Sequence, residues 1–299
     1  MIKILHGGLA FLMLFSLSCS RPGGKQTGAT SFAVRDQLGR EVSFEHTAQR
    51  VISLAPSVTE TMYAIGAQDR LVGVTTFCNY PPEAQSKEKI GDFFLPNLER
   101  MVALQPDVVV LVATGQSQTL SKLEGLGLRT LVLNPESSEQ ALESFRLLGK
   151  VVGLENNADL LCEEVQTRLG AVRDKSWGQP VHPLVYFEID SAPLVTCGGK
   201  SFVGELIRIA GGRNLIEDLP QPYGVVNAEK IVAGAPEVIL IAHPNASAKD
   251  VKERLGWSAI PAVKTSRVYD NLDPDILTRP GPRIGQAAEV LYSVFYGKP

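Results

Sequence analysis

Two stretches of this 299-residue chain are copies of one pattern. Residues 97–112 read N-L-E-R-M-V-A-L-Q-P-D-V-V-V-L-V, and residues 227–242 read N-A-E-K-I-V-A-G-A-P-E-V-I-L-I-A. Six of the sixteen positions are identical, against about one expected from average residue usage. Both copies carry the same physics. An Asn able to cap a helix is followed two residues on by a carboxylate, which the helix dipole favours in a first turn. An apolar period comes next, then a Pro that ends the helix, then an apolar run with the character of a buried strand. A second matched pair occurs in the same order: Glu60-Thr-Met-Tyr-Ala-Ile-Gly-Ala before Leu71-Val72, and Glu205-Leu-Ile-Arg-Ile-Ala-Gly-Gly before Leu215-Ile216. Each is a helix closed by Gly and followed by a strand start. The offset between copies shifts from 145 to 130, which places an insertion within residues 73–96 of the first half. A chain built this way folds as two similar lobes, and ligand sites favour the cleft between such lobes.

The rest of the pattern sets the fold class. Short apolar runs at 51–54, 71–74, 108–112 and 130–133 alternate with helical periods at 58–65, 98–104, 120–125 and 139–152. Continuously apolar strands alternating with helices predict a parallel sheet covered on both faces. The second half predicts strands at 184–189 and 238–242 and helices at 202–210, 227–234, 248–255 and 282–296. Between the halves, Ala158, Leu161, Val165, Leu169 and Val172 share one helical face over Asn156–Lys175. The expectation is an α/β protein of two Rossmann-like lobes with central parallel sheets, residues 32–153 and 178–299. A single long, rigid helix over 154–177 joins them. Such a link predicts small motion on ligand binding.

The N-terminus is a targeting segment. Lys3 precedes a mostly apolar run, and small residues lead to Cys19, the pattern of a secretory signal over 1–18. The Cys directly after them resembles a bacterial lipoprotein box, although Ser16 stands where such signals usually carry Leu. This makes Cys19 the lipidation candidate and 19–31 a lipid-anchored flexible tether. No later run approaches 18 apolar residues, and no basic run suggests nucleic-acid binding. Cys78, Cys162 and Cys197 form no C-x-x-C, which leaves no zinc knuckle or redox motif. A Cys78–Cys197 disulfide between cleft-facing loops is one reading, and small buried residues the other.

Enzyme signatures are missing. Gly198-Gly-Lys-Ser201 ends like a phosphate loop, but Leu194 stands where the first Gly must be. There is no nucleophile elbow and no zincin motif, and His46, His182 and His243 are not spaced as a metal pair. The informative stretches are loops. Phe77-Cys-Asn-Tyr-Pro-Pro82 follows a strand, and Gly91-Asp-Phe-Phe-Leu-Pro96 precedes the repeated helix. Such loops border ligand crevices in parallel sheets, and their aromatics suit a flat, partly apolar ligand. Loop packing is the alternative, above all for Tyr80. The repeat itself matches Tyr223 to Phe93. Before the last helix, Asp275, Arg279 and Arg283 could bond ligand amides or phosphate, or Arg279 and Asp275 could pair with each other.

Tyr80-Pro-Pro-Glu-Ala-Gln, the Asn97-to-Asp107 string and the Pro282-Arg283 ending resemble extracytoplasmic substrate-binding proteins of ABC importers for cobalamin, iron–siderophores and haem. The similarity runs over roughly 45–298 and is strongest to the cobalamin-binding branch. The resemblance implies a ligand set of Phe77, Cys78, Asn79, Phe93, Tyr223 and the segment Asp275, Ile276, Leu277, Thr278 and Arg279. It implies Glu99 and Glu229 as carboxylates that meet permease arginines. Phe77 stands where the branch has Tyr, Phe93 and Tyr223 stand where it has Trp, and Ala210 and Tyr292 occupy the positions of a lobe disulfide.

The resulting expectation is a binding protein and not an enzyme, with no cofactor or metal of its own. It would capture a corrinoid, cobalamin or cobinamide, in the interlobe cleft and deliver it to an ABC permease dimer with its ATPase subunits. It would be a monomer, held outside the cytoplasm by its lipid anchor, in the periplasm or on the outer face of the membrane. A siderophore or haem binder of the same build is the alternative, with Tyr80 or Tyr223 as haem-ligand candidates. A two-lobed cleft enzyme is the remote alternative.

Overall fold

The computed structural model describes residues 1–2 and 31–297. Cys19, with nearly all of the expected signal and tether, lies outside the described residues. No helix among the described residues is long and apolar enough to cross a membrane.

The first lobe opens with a hairpin that periodicity did not predict, β1 (Phe32–Arg35) and β2 (Glu41–Phe44). Its turn is organised by Asp36, whose Oδ1 accepts from the Leu38 and Arg40 amides at 3.0 and 2.9 Å. The lobe continues through β3 (Val51–Ser53), α1 (Pro56–Ala64), β4 (Leu71–Val74), α2 (Leu98–Ala103), β5 (Val108–Val112), α3 (Ser117–Gly125), β6 (Thr130–Leu133) and α4 (Ser138–Val152). The strands form a parallel sheet in the order β4-β3-β5-β6. Residues 75–97, between β4 and α2, carry only one short 3-10 turn.

Helix α5 (Glu155–Trp177) follows, 23 residues long and so about 34 Å. It falls within the expected 154–177 and extends past the apolar face of Asn156–Lys175 at both ends. Ala158, Leu161, Cys162, Val165, Leu169 and Val172 are buried along it. It packs against α4 on one side and the C-terminal helix on the other. Both approaches need glycine: a Cβ on Gly149 of α4 would lie 2.5 Å from the Ala158 Cβ, and one on Gly285 would lie 2.9 Å from the Arg168 Cβ. Each fully buried aliphatic side chain here contributes about 1.5–3 kcal/mol.

The second lobe runs through β7 (Leu184–Ser191), β8 (Leu194–Cys197), α6 (Phe202–Ile209), β9 (Arg213–Asn214), β10 (Tyr223–Val225), α7 (Ala228–Gly234), β11 (Val238–Ile241), α8 (Ala248–Glu253), α9 (Pro261–Lys264), β12 (Val268–Tyr269), α10 (Pro274–Thr278) and α11 (Ile284–Tyr296). Its parallel strands take the order β9-β7-β11-β12, the same as in the first lobe. The sheet is not wholly parallel, however. β8 pairs antiparallel with β7, and β10 antiparallel with β8. The cause is the two-residue turn after Ser191, which can only join antiparallel neighbours.

In both sheets the chain reverses its direction of strand addition beside the first strand, between β3 and β5 and between β7 and β11. Ligands of open parallel sheets bind outside the carboxyl ends of the strands at such a point. One continuous apolar core passes from Val51 and Val110 through the buried face of α5 to Val185, Leu206 and Ile284. The two lobes therefore share a core instead of hanging on a flexible hinge.

Candidate functional site

The Thr75–Pro82 loop leaves the carboxyl end of β4, and its two kinds of side chain point opposite ways. Cys78 turns inward. It is 1% exposed, with its Sγ accepting from Thr59 Oγ1 at 3.1 Å and lying 3.3 Å from Thr75 Oγ1. This corrects the expectation that Cys78 faces the cleft: its thiol is part of a buried hydroxyl cluster. Lys89 Nζ donates to the Cys78 and Ala84 carbonyls at 3.2 and 3.1 Å and closes the loop from behind. Phe77 and Tyr80 are left outward, both about half exposed.

The Gly91–Pro96 loop is folded by Asp92, whose Oδ1 accepts from the Phe94 and Leu95 amides at 2.7 and 2.5 Å. The turn divides its aromatics. Phe93 packs onto the main core, whereas Phe94 is 64% exposed. Their rings meet edge to face at 4.9 Å. Residue matching selected Phe93, but the more presented ring is Phe94. Gln116 locks this arrangement. It is buried, its Nε2 donates to the Leu54 and Phe93 carbonyls at 3.0 and 2.8 Å, and its Oε1 accepts from the Val112 amide at 3.0 Å. Gln116 thus ties the ends of β3 and β5 to the aromatic loop. A polar residue four positions beyond the end of the apolar β5 run was the signal that could have found it.

On the second lobe, Tyr223 pairs with Cys197 across β10 and β8. Its ring is partly exposed, while burial of its hydroxyl end pushes the phenol well above its ordinary range. Nearby Cys197 and Glu136, the latter from the first lobe, add to that shift, and the Val203 backbone opposes it. Cys197 lies in a strand, not a loop, and burial pushes its thiol up to about 12. Cys78, Cys162 and Cys197 are all free and buried, so the disulfide reading is not realised and the buried-residue reading is.

The lobes meet in a charged cluster that no single motif announced. Asn79 Nδ2 donates to Asp275 Oδ2 at 2.8 Å, and Asn79 Oδ1 accepts from Arg279 at 2.8 Å. Arg279 pairs with Asp275 at 2.7 Å. The loop ion pair thus exists, and it opens onto a larger network. Glu60 of α1, only 3% exposed, accepts from Arg279 at 2.9 Å and from Arg283 Nε and NH2 at 2.8 Å each. Burial pulls the Arg283 pKa down, but the bonds to Glu60 and the charges of Glu60 and Asp273 outweigh it, for a net rise. The Arg283 guanidinium lies 4.0 Å from the Tyr80 ring centroid, a cation–π geometry. Within the same segment Leu277 is buried in the core and Ile276 packs against it, while Thr278 Oγ1 donates to the Pro274 carbonyl at 2.7 Å. Leu277 is therefore removed from the ligand set by its burial. The repeat marked Glu60 only as a match to Glu205; that it is the lone charge on α1 was the further signal, since a carboxylate in an otherwise uncharged helix points to a buried partner.

The repeated Asn-x-Glu is built alike in both lobes. Asn97 Oδ1 accepts from the Arg100 amide at 3.0 Å, and Asn227 Oδ1 from the Lys230 amide at 2.8 Å. Arg100 pairs with Glu88 at 2.5 Å and Lys230 with Asp218 at 2.9 Å. The neighbouring cations are thereby drawn away, and Glu99 and Glu229 stand exposed at the N-termini of α2 and α7.

Among the described residues no group of three or more His, Cys, Asp or Glu could hold a metal. His243, at the end of β11, has both ring nitrogens engaged: Nε2 lies 3.0 Å from Glu188 Oε1, and Nδ1 accepts from the Asn245 amide at 3.2 Å. Glu188 is also held by Arg254 through two bonds of 2.6 and 2.7 Å.

Comparison with known proteins places this geometry among transport proteins. The family model for periplasmic binding proteins matches residues 51–274. An uncharacterized ABC transporter substrate-binding lipoprotein of Bacillus subtilis is 31% identical over 279 residues, 91% of this chain and 88% of its own. A vitamin B12-binding protein of Vibrio vulnificus is 30% identical, over 81% of this chain and 88% of its own. Among solved structures, the periplasmic heme-binding protein RhuT from Roseiflexus superposes with a TM-score of 0.76 at 25% identity, covering 83% of this chain and 98% of its own.

Proposed function

The chain belongs to the periplasmic binding protein family, and from that membership we propose that it captures a corrinoid between its lobes and hands it to an ABC importer. Proteins of this family bind substrates for transport and are not enzymes. This chain is accordingly a substrate-binding protein of the ABC import type, acting outside the cytoplasm alongside a permease and its ATPase.

The observation that carries the corrinoid reading is the set of presented rings, Phe77, Tyr80 and Phe94 on one lobe and Tyr223 on the other. They border a floor whose arginines are already neutralised. A corrin is a large, flat macrocycle with an amide-rich rim. Aromatic faces suit its plane, and the exposed Asn79 with the half-buried Asp275 and Thr278 suit the amides. The vitamin B12-binding relative supports the same choice. The corrinoid is cargo, and no resident cofactor is invoked.

The rival readings fit less well. An anionic ferric siderophore favours free positive charge, but Arg279 and Arg283 are engaged by Glu60, Asp275 and Asp273. Haem favours an iron ligand. His243 has no free nitrogen, Tyr80 lies under Arg283, and the Tyr223 phenol is pushed away from ionisation. The heme-binding neighbour keeps that reading as the second choice.

Glu99 and Glu229 would meet two equivalent basic sites on a symmetric permease dimer. Cys19 would carry the lipid anchor, as the lipoprotein relative suggests, with the protein a monomer on its tether. Titrating purified protein into dicyanocobinamide tests the reading. The corrin absorbance should shift with saturation at one ligand per chain, and an unchanged spectrum at tens of micromolar protein would count against it.

A further inference from the structure

The two matched carboxylates of the second repeat, Glu60 and Glu205, each bond to the opposite lobe. Glu205 of α6 accepts from the Ser138 amide at 2.6 Å and from Ser138 Oγ at 3.0 Å, and so satisfies the N-terminus of α4. Glu60 of α1 takes Arg279 and Arg283 from the second lobe at 2.8–2.9 Å. The first contact is a helix cap. The second is a buried ion cluster of charge-assisted hydrogen bonds.

The Glu60 contact reaches further than the lobes' common surface. Arg279 also donates to Asn79 Oδ1 at 2.8 Å and to the Phe77 carbonyl at 3.3 Å. Arg283 covers the Tyr80 ring. The aromatic loop of the first lobe is therefore held by arginines of the second lobe. Both arginines also have carboxylates in their own segment: Asp275 lies 2.7 Å from Arg279, and Asp273 lies 3.6 Å from Arg283. Without Glu60, Asp273 would be left to draw Arg283 off the Tyr80 ring, while Arg279 would keep Asp275, which itself accepts from Asn79 Nδ2 at 2.8 Å. Pro280 and Gly281, between the two arginines, rest on α1 near Ser57, so the segment lies against Glu60's own helix.

We infer that Glu60 is a positioning residue for the binding cleft: by holding Arg279 and Arg283 against the first lobe it fixes the Phe77–Tyr80 wall, and separating the lobes dismantles that wall. Its meaning for ligand release rests on the proposed function, since a permease gripping Glu99 and Glu229 would pull on one lobe each.

The test uses ligand-free protein labelled with 3-fluorotyrosine, with the Tyr80 resonance assigned from Tyr80→Phe. In Glu60→Gln the Tyr80 resonance should move toward that of a solvent-exposed tyrosine, while the buried Tyr186 resonance stays. Glu205→Gln should leave Tyr80 in place. If Glu60→Gln does not fold, Glu60→Asp keeps the charge but loses one methylene of reach and should shift Tyr80 in the same direction. A Tyr80 resonance within a linewidth of wild type in a folded Glu60 variant overturns the inference. So does an equal shift in Glu205→Gln, which would signal general loosening. In a second arm, Glu60→Gln should raise the dissociation rate of cyanocobalamin about tenfold with little change in association. Wild-type protein that binds no corrinoid would sink the proposed function and leave the fluorine result standing.

Discussion

Phe93 and Phe94 are adjacent, chemically identical and differently placed, so truncating each in turn separates packing from ligand contact. Phe93 lies on the core and meets the Phe94 ring edge to face, with centroids 4.9 Å apart. A fully buried Phe→Ala costs about 3–5 kcal/mol. Phe93 is only partly buried, so the loss should be about 2–3 kcal/mol, including about 0.5–1.5 from the ring pair. Phe94 is 64% exposed, and its truncation should cost under about 1 kcal/mol, most of it from the shared ring pair. Ligand affinity should follow the opposite order. Losing a presented aromatic face typically costs about 1–2 kcal/mol of binding, or about 5- to 30-fold in Kd. Urea unfolding gives the stabilities, and calorimetric titration with cyanocobalamin gives the affinities. Phe94→Ala should be stable and weak-binding, and Phe93→Ala destabilised. Equal stability losses, or unaltered affinity in Phe94→Ala, would refute the division of roles.

Three further outcomes are expected. Glu99→Ala with Glu229→Ala should leave ligand affinity unchanged and weaken association with permease in detergent or nanodiscs; undiminished association reduces both carboxylates to helix-dipole groups. Cys197 should make the protein less stable at high pH. Its folded thiol sits at about 12 against an ordinary 9.0, so the unfolded chain releases its proton first and stability falls as pH rises past 9.0. Between pH 9 and 10 wild type should lose about 1 kcal/mol more than Cys197→Ala in urea titrations, and parallel curves would contradict the burial. Fluorophores on the two lobes should report an interlobe distance that changes by only a few ångströms on ligand binding, since α5 and a shared core join the lobes; a hinge-like closure would show that this core does not restrain them.

Much of the fold was legible because its signals are local. The runs at Val108–Val112 and Thr130–Leu133 are apolar on both faces, which marks central parallel strands, and the 3- and 4-residue steps of α5 mark a helix covered along one side. β8 and β10 escaped notice because they are short antiparallel additions whose partners are set by tertiary contacts, not by periodicity. The same limit applies to the site. The repeat pointed to Phe93 and Tyr223, but which ring of Phe93-Phe94 is presented depends on the Asp92 turn and on Gln116. Asp275 and Arg279 could be singled out as charges in a loop. Their partner Glu60 lies about 220 residues away in sequence, and only the packing of the lobes brings it to them. Cys78 looked like a cleft residue from its neighbours, and two threonine hydroxyls, one from α1 and one from its own loop, turn it inward.

The most direct measurement is a calorimetric panel on one preparation of the protein, titrated with cyanocobalamin, dicyanocobinamide, haemin and an anionic ferric siderophore. At least one corrinoid should bind one-to-one with a Kd below 1 μM, a binding free energy beyond about −8 kcal/mol, with haemin and the siderophore at least tenfold weaker. Tight binding of haemin or the siderophore with no heat from either corrinoid would contradict the assignment.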